Sequence, residues 1–348
     1  MRVVFLIEDS LPNGRVGPEL TPTLWSLIGE GGWHPDGGVS VLASSTYPNH
    51  ATFATGVDVD QHRIFTNDIW NGSEFVCSAT IGPAVDTIFE RARRAGVSTA
   101  AITGDFTMVG CMGAGRADIS WPGPDPLPEA TPTDCLGYAA NSAVLEQLAN
   151  SGALEVDLAY IHLNDPDSTL HRYGPDSPET LSRIRSVDDD LAAVVEMLQP
   201  AWEDTVLFVV SDHGQELVDH RHEPIDLAAE LRAASLPGSA HNEGTVGIVY
   251  EGPGVEQLKR IPAVTDAIDV DPNNEHGAIS LVWSDPGRVF GSGSTGLAGQ
   301  HGSPRTRTQV ATVSGGHGVV KQLAAELAKR RPHATEWVPR IERLLGFA

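Results

Sequence analysis

Apolar runs and amphipathic stretches take turns along this chain. Val3-Val4-Phe5-Leu6-Ile7 is apolar without interruption, the pattern of a parallel strand buried on both faces, and it ends in Glu8-Asp9. Val97–Ile102, Val156–Leu163 and above all Val206–Val210 read the same way. A shorter strand, Ala117–Trp121, runs into the loop Trp121–Pro126, too rich in proline for a sheet interior. Between the strands lie helical stretches: Thr21–Ile28 up to a stop at Gly31-Gly32, then residues 83–95 and 136–149. Ser177-Pro178 caps a long helix whose Ile184, Val187, Leu191, Val194, Val195 and Leu198 share one face. Gln309–Val313 returns as a strand and residues 318–346 as helix.

This alternation predicts an α/β fold with a mostly parallel central sheet and helices on both faces. The 348 residues suffice for one large α/β domain or two small ones with a well-buried core, and the chain reads as a single catalytic domain over 1–348. Residues 218–300 break the rhythm with Gly, Pro and short strands around Val246–Tyr250 and Ile279–Trp283, and read as a smaller elaboration bordering the site.

The stretch Ser44–Gly56 delivers a hydroxyl to the start of a helix, because Pro48 suits a helix opening and Gly56 its end. Thr46 is there either an ordinary cap or a nucleophile, in a position where backbone N–H groups favour an anion. Asp9, Asp167, His171, Asp212 and His213 also fall just beyond strands or at helix entries. In an open α/β sheet such positions share the crevice at the carboxyl ends of the strands. His301, beside Gly302, adds a third imidazole. Taken singly, each is a turn, a cap or a surface residue, and Glu8 competes with Asp9 as the acidic group ending the first strand. Together, imidazole nitrogens and carboxylate oxygens form the donor set of catalytic zinc. Their number suits two ions, which about 3.5–4 Å apart would clamp the attacking and leaving oxygens of a phosphoryl transfer.

Charge and cysteine content narrow the classes. A net charge of -23 with no basic run argues against nucleic-acid polymers and anionic membrane surfaces. An anionic small substrate then needs positive charge from bound metal. Cys77, Cys111 and Cys135 have neither disulfide-framework nor thiolate-zinc spacing, and none has the Cys-x-Pro-x-Arg context of a sulfatase. No apolar run approaches a membrane span. With no signal-like segment before Val3, the expectation is a cytoplasmic protein.

The order of these motifs resembles the alkaline phosphatase superfamily and, within it, the nucleotide pyrophosphatase/phosphodiesterase branch. The resemblance rests on Thr46-Tyr47-Pro48-Asn49-His50, Thr55-Gly56, His62-Arg63-Ile64 with Asn67, and Trp121-Pro122-Gly123. It continues in Asp167 through His171 to Tyr173-Gly174-Pro175, in Ser211-Asp212-His213-Gly214 and in His301-Gly302. It implies an alkaline-phosphatase-like fold and two divalent metal ions, zinc, one on Asp167, His171 and His301 and the other on Asp9, Asp212 and His213. It further implies Thr46 as the nucleophile of a phosphothreonine intermediate, and Asn67 as a donor to a non-bridging phosphate oxygen. Tyr47 and Trp121 are expected either to wall the substrate pocket or to be plain core aromatics. The substrate expected is a small phosphate ester, by preference a diester or nucleotide pyrophosphate. A phosphonate hydrolase or phosphomonoesterase is the alternative and a non-catalytic phosphate binder the remote one. Two positions depart from the pattern: Ser10 and Arg63 stand where the family has glycine, and Arg63 reads first as an exposed surface arginine and second as a cation near the phosphate pocket.

Overall fold

The protein was analysed as a computed structural model that describes residues 1–123 and 127–348. Pro124, Asp125 and Pro126 of the proline-rich loop lie outside the described residues. The central sheet has β1 (Arg2–Glu8), β2 (Thr99–Thr103), β3 (Ile119–Trp121), β4 (Leu158–Leu163) and β5 (Thr205–Val210) in the order β3-β2-β4-β1-β5. All four pairings are parallel. Uninterrupted apolar strands are what such a sheet needs, because each face receives every second side chain.

On β1, Val3, Phe5 and Ile7 enter one core, while Val4 and Leu6 enter the other. Among the described residues seven helices cover the sheet, α1 (Pro22–Glu30), α2 (Thr46–Thr55), α3 (Ile88–Ala95), α4 (Asn141–Ser151), α6 (Pro178–Leu198), α7 (Val320–Leu327) and α8 (Trp337–Leu345), while α5 (Asp167–Tyr173) follows β4 and packs on α6. Side chains of α2, α3, α7 and α8 fill the first core, and those of α1, α4 and α6 the second. Phe5 meets Phe53 edge to face at 5.3 Å and tilts against Trp337 at 5.9 Å, which fixes α2 and α8 on the sheet.

Four boundaries differ from the sequence reading. The helix expected over 83–95 begins only at Ile88, where Thr87 N–H donates to Glu90 Oε2 at 2.9 Å. Residues 136–140 are not helix; Asp134 Oδ1 accepts the N–H groups of Leu136, Gly137 and Tyr138, an alternative that competes with helix formation. The helix expected over 318–346 is two, α7 and α8, separated around Pro332. Residues 309–313 do not form one strand; Ala311 and Ser314 bridge antiparallel to β5.

Residues 239–283 form a second sheet of β6 (Ser239–Glu243), β7 (Val246–Gly252), β8 (Asp266–Asp271) and β9 (Ala278–Trp283), antiparallel in the order β6-β7-β9-β8. It has an apolar cluster of its own around Leu227, Val249, Val282 and Phe290. Among the described residues no helix is long and apolar enough to cross a membrane.

Candidate active site

The period of two along β1 separates Glu8 from Asp9. Glu8 lies on the second face near Asp188 and Asp190, where burial and then those two carboxylates hold its carboxyl well above the usual range. Asp9 is the one at the crevice. Ser10 follows it in the left-handed region at φ 62° and donates its N–H to Asp212 Oδ1 at 3.0 Å. The family's glycine is therefore a backbone requirement that this chain meets with serine.

Thr46 is the first residue of α2, Ser45 holds the cap position, and neither side chain caps. Thr46 Oγ1 lies instead 3.1 Å from His213 Nε2, so the cap reading does not hold. Pro48 is the third helical residue rather than the first. Tyr47 donates its N–H to Asn67 Oδ1 at 3.1 Å, so the helix start is less open to an anion than the sequence implied. The same bond fixes the Asn67 amide, leaving its NH₂ end for the cavity that Asn67 lines.

Two Asp/His groups flank the hydroxyl. In one, His213 Nε2 is 3.2 Å from Asp212 Oδ2 and 3.7 Å from Asp9 Oδ1. In the other, Asp167 Oδ2 is 3.4 Å from His171 Nε2, and its Oδ1 is 4.0 Å from His301 Nε2. The rings of His213 and His301 stack at 4.0 Å and join the groups.

The donor set fits divalent metal. His171 Nδ1 donates to the Gly299 carbonyl at 2.9 Å and His213 Nδ1 to that of Gly214 at 3.2 Å, which turns each Nε2 lone pair inward. Each carboxylate is held by one oxygen: Asp9 Oδ2 by His162 Nε2 at 2.8 Å, Asp212 Oδ1 by Ser10 N and His213 N, and Asp167 Oδ1 by Gln215 Nε2 at 2.6 Å. Asp9 Oδ1 and Asp212 Oδ2 are buried without any hydrogen-bond partner, which is costly unless a cation is their partner. Burial, then Asp212 and Asp167, push the Asp9 carboxyl far upward, and burial keeps His301 a neutral ligand-ready imidazole.

Asp9, His50 and His162 make a further close group. We read it as bracing, since His162 Nε2 holds Asp9 and His50 Nδ1 the Thr46 carbonyl at 2.8 Å, while His162 Nδ1 and His50 Nε2 are left without hydrogen-bond partners. Sequence reasoning missed these two histidines and Gln215. The available signal was His162 itself, a polar residue inside the apolar run of β4.

The hydroxyl opens into a cavity of about 80 Å³ lined by Asp9, Thr46, Tyr47, Asn67, Asp105, Leu136, Tyr138, Asn164, Asp167, His171 and His301. A larger hollow of about 390 Å³ beside Cys135, Tyr173 and Arg183 holds neither Asp/His group. Among the described residues no Lys or Arg lines the catalytic cavity. Arg63 does not supply that charge: it sits at φ 67°, pairs with Asp271, and lies over the Phe65 ring at 4.8 Å. Tyr47 does line the cavity, its hydroxyl donating to Asp105 Oδ2 at 3.1 Å. Trp121 is not a wall of it; its indole packs half-buried against the second core from the edge strand β3. Tyr138, which the sequence reading passed over, takes part in the lining.

The sequence profile of the family described as type I phosphodiesterase / nucleotide pyrophosphatase matches residues 3–278. Over 192 residues the chain is 26% identical to ectonucleotide pyrophosphatase/phosphodiesterase family member 5 of Homo sapiens, covering 50% of this chain and 37% of that protein. Over 193 residues it is 25% identical to the human bis(5'-adenosyl)-triphosphatase ENPP4, covering 50% and 39%. These matches thus span less than two fifths of either relative. Human ectonucleotide pyrophosphatase / phosphodiesterase 5 superposes with a TM-score of 0.74 at 19% identity, covering 100% of this chain and 96% of the other. The inactive murine protein in complex with AMP gives 0.72 at 18%, covering 100% and 95%. Both show a shared fold.

Proposed function

Since the chain belongs to the type I phosphodiesterase / nucleotide pyrophosphatase family, with residues 3–278 matched, we propose that it hydrolyses small phosphodiester or nucleotide pyrophosphate bonds through a phosphothreonine on Thr46. One observation carries this reading. The Thr46 hydroxyl lies 3.1 Å from His213 Nε2, between two buried Asp/His groups, one of which has bare oxygens on Asp9 and Asp212.

Asp9, Asp212 and His213 would hold one divalent cation and Asp167, His171 and His301 the other, both zinc by their mixed nitrogen and oxygen donors. When bound, the two cations supply Lewis-acid charge for the attacking and leaving oxygens. The chain does the rest. Thr46 Oγ1 loses its proton to solvent and forms a bond to phosphorus as the ester bond to the departing alcohol or nucleotide oxygen breaks. The leaving oxygen takes a proton from solvent. Water then attacks phosphorus, the Thr46 oxygen leaves and is reprotonated, and a phosphate monoester is released. Throughout, the Asn67 NH₂ donates to a non-bridging oxygen as its charge grows.

The lining favours a diester over a monoester. A monoester dianion needs an additional cation, whereas the lining beyond the metal groups offers Asp105, Tyr47, Tyr138 and Leu136. The relatives named for bis(5'-adenosyl)-triphosphate and solved with AMP support a nucleotide as the first substrate to try. Acid quenching during turnover of a dinucleoside polyphosphate, followed by peptide mass spectrometry, tests the reading. A peptide carrying a nucleotidyl group on Thr46 is expected; turnover with no nucleotidyl adduct on any residue would refute the covalent route.

A further inference from the structure

Behind the catalytic loop lies a carboxylate that the mechanism above leaves unused. Glu243 ends β6 and is half-buried, with its Oε1 shielded from solvent. Its Oε2 accepts the backbone N–H of Asn67 at 2.7 Å. Its Oε1 has no hydrogen-bond partner, and neither does the nearby Ser45 Oγ.

The turn that follows Glu243 is pressed into the site. Gly244 has φ 56°, and a Cβ there would meet the His301 carbonyl at 2.4 Å. Thr245 N donates to that same carbonyl at 2.9 Å. Gly302 has φ 119°, and a Cβ on it would come within 3.3 Å of the Glu243 carbonyl and 3.6 Å of Ser45 Oγ. Ser44 N donates to the Gly302 carbonyl at 2.9 Å. Three segments therefore meet at Glu243: the loop bearing the nucleophile, the loop bearing Asn67, and the loop bearing His301.

We propose that Glu243 is a positioning residue for the transition-state contact. By accepting the Asn67 N–H, its carboxylate sets the place from which the Asn67 side chain reaches the reacting phosphoryl group. The antiparallel sheet is then part of the catalytic floor rather than a border to it, because β6 brings Glu243 there.

Asn67 is held at three points, by Glu243 at its backbone N–H, by Ser78 N–H at its carbonyl at 2.9 Å and by Tyr47 N–H at its side-chain oxygen. With the first lost, the other two still allow the amide to shift, and an ångström of displacement at a preorganised donor removes much of its effect. Burial pushes the Glu243 carboxyl up to about 7, and ionised or protonated it keeps an oxygen able to accept from Asn67. Acceptance rather than charge is the function, so glutamine should replace it.

This inference rests on the proposed role of Asn67, and a double-mutant cycle separates the two. Metal-analysed Glu243→Ala, Glu243→Gln, Asn67→Ala and the double variant Glu243→Ala/Asn67→Ala would be compared for kcat and KM on bis-p-nitrophenyl phosphate. Glu243→Ala should lower kcat about 10-fold at unchanged metal content and little-changed KM. Glu243→Gln should stay within about 3-fold of wild type, and in the Asn67→Ala background Glu243→Ala should cost nothing more. Multiplicative losses, or glutamine failing as badly as alanine, would overturn the positioning role. If Asn67→Ala itself were fully active, the proposed mechanism would fall first.

Discussion

Asn67 gives the sharpest readout of a single side chain. Its Oδ1 is occupied by Tyr47 N–H, so replacing it with alanine removes one donor from the cavity and touches none of the Asp/His groups. Asn67→Ala should therefore lose about 10² to 10³ in kcat, the scale for one oxyanion donor, with metal content measured by mass spectrometry unchanged. Arg63 makes the opposite prediction. Because it is engaged with Asp271 and Phe65, Arg63→Gly should leave both diester and monoester turnover as they were; a selective fall in monoester rate would restore it as a phosphate cation. Arg63 and Ser10 also mark a limit of reading residues singly. Both replace a family glycine, both adopt positive φ, and only backbone conformation reveals that glycine was wanted there for its shape. Thr46 was legible as a hydroxyl at a helix start, yet whether it caps or reacts depended on His213, 167 residues away.

Between elements, His62 latches α2 to the loop that carries Asn67. Its Nε2 donates to Thr52 Oγ1 at 2.9 Å, Thr52 in turn donates to the Pro48 carbonyl, and His62 Nδ1 accepts from Ile64 N at 3.1 Å. Only the neutral ring satisfies this pattern, and burial lowers its pKa to about 3 against an ordinary 6.5. Between those values the unfolded chain binds a proton that the native ring refuses. The latch is thus fully present above pH 6.5 and is lost as pH falls toward 3, a span worth on the order of 5 kcal/mol. His62→Gln keeps a donor and an acceptor without titrating, so the slope of melting temperature against pH between 6.5 and 4 should be shallower than in wild type; equal slopes would count against the latch. Strands were the elements most readable in advance, because β1, β4 and β5 are uninterrupted apolar runs. Helix ends were less so. Asp134 diverts residues 136–138 into a turn, a competition that apolar spacing does not register.

At the scale of the molecule, one parallel sheet brings Asp9, Asp167 and the Asp212–His213 pair to a common edge, as their positions after β1, β4 and β5 implied. Two strands of the antiparallel sheet, around Val246–Tyr250 and Ile279–Trp283, were legible in residues 218–300, while its contribution at Glu243 was not visible at all. Bringing three buried carboxylates together creates repulsion that bound cations relieve. Chelation should therefore lower the melting temperature by several degrees as well as abolish turnover, and zinc should restore both; a stability indifferent to chelator would mean that no cation shares the carboxylates. The most direct test of the whole account is hydrolysis of bis-p-nitrophenyl phosphate against p-nitrophenyl phosphate by zinc-loaded protein, wild type beside Thr46→Ala. The account predicts a clear diester preference that vanishes in the variant while its metal content and melting temperature persist. A monoester preference, or a Thr46→Ala protein that still turns over the diester, would contradict it.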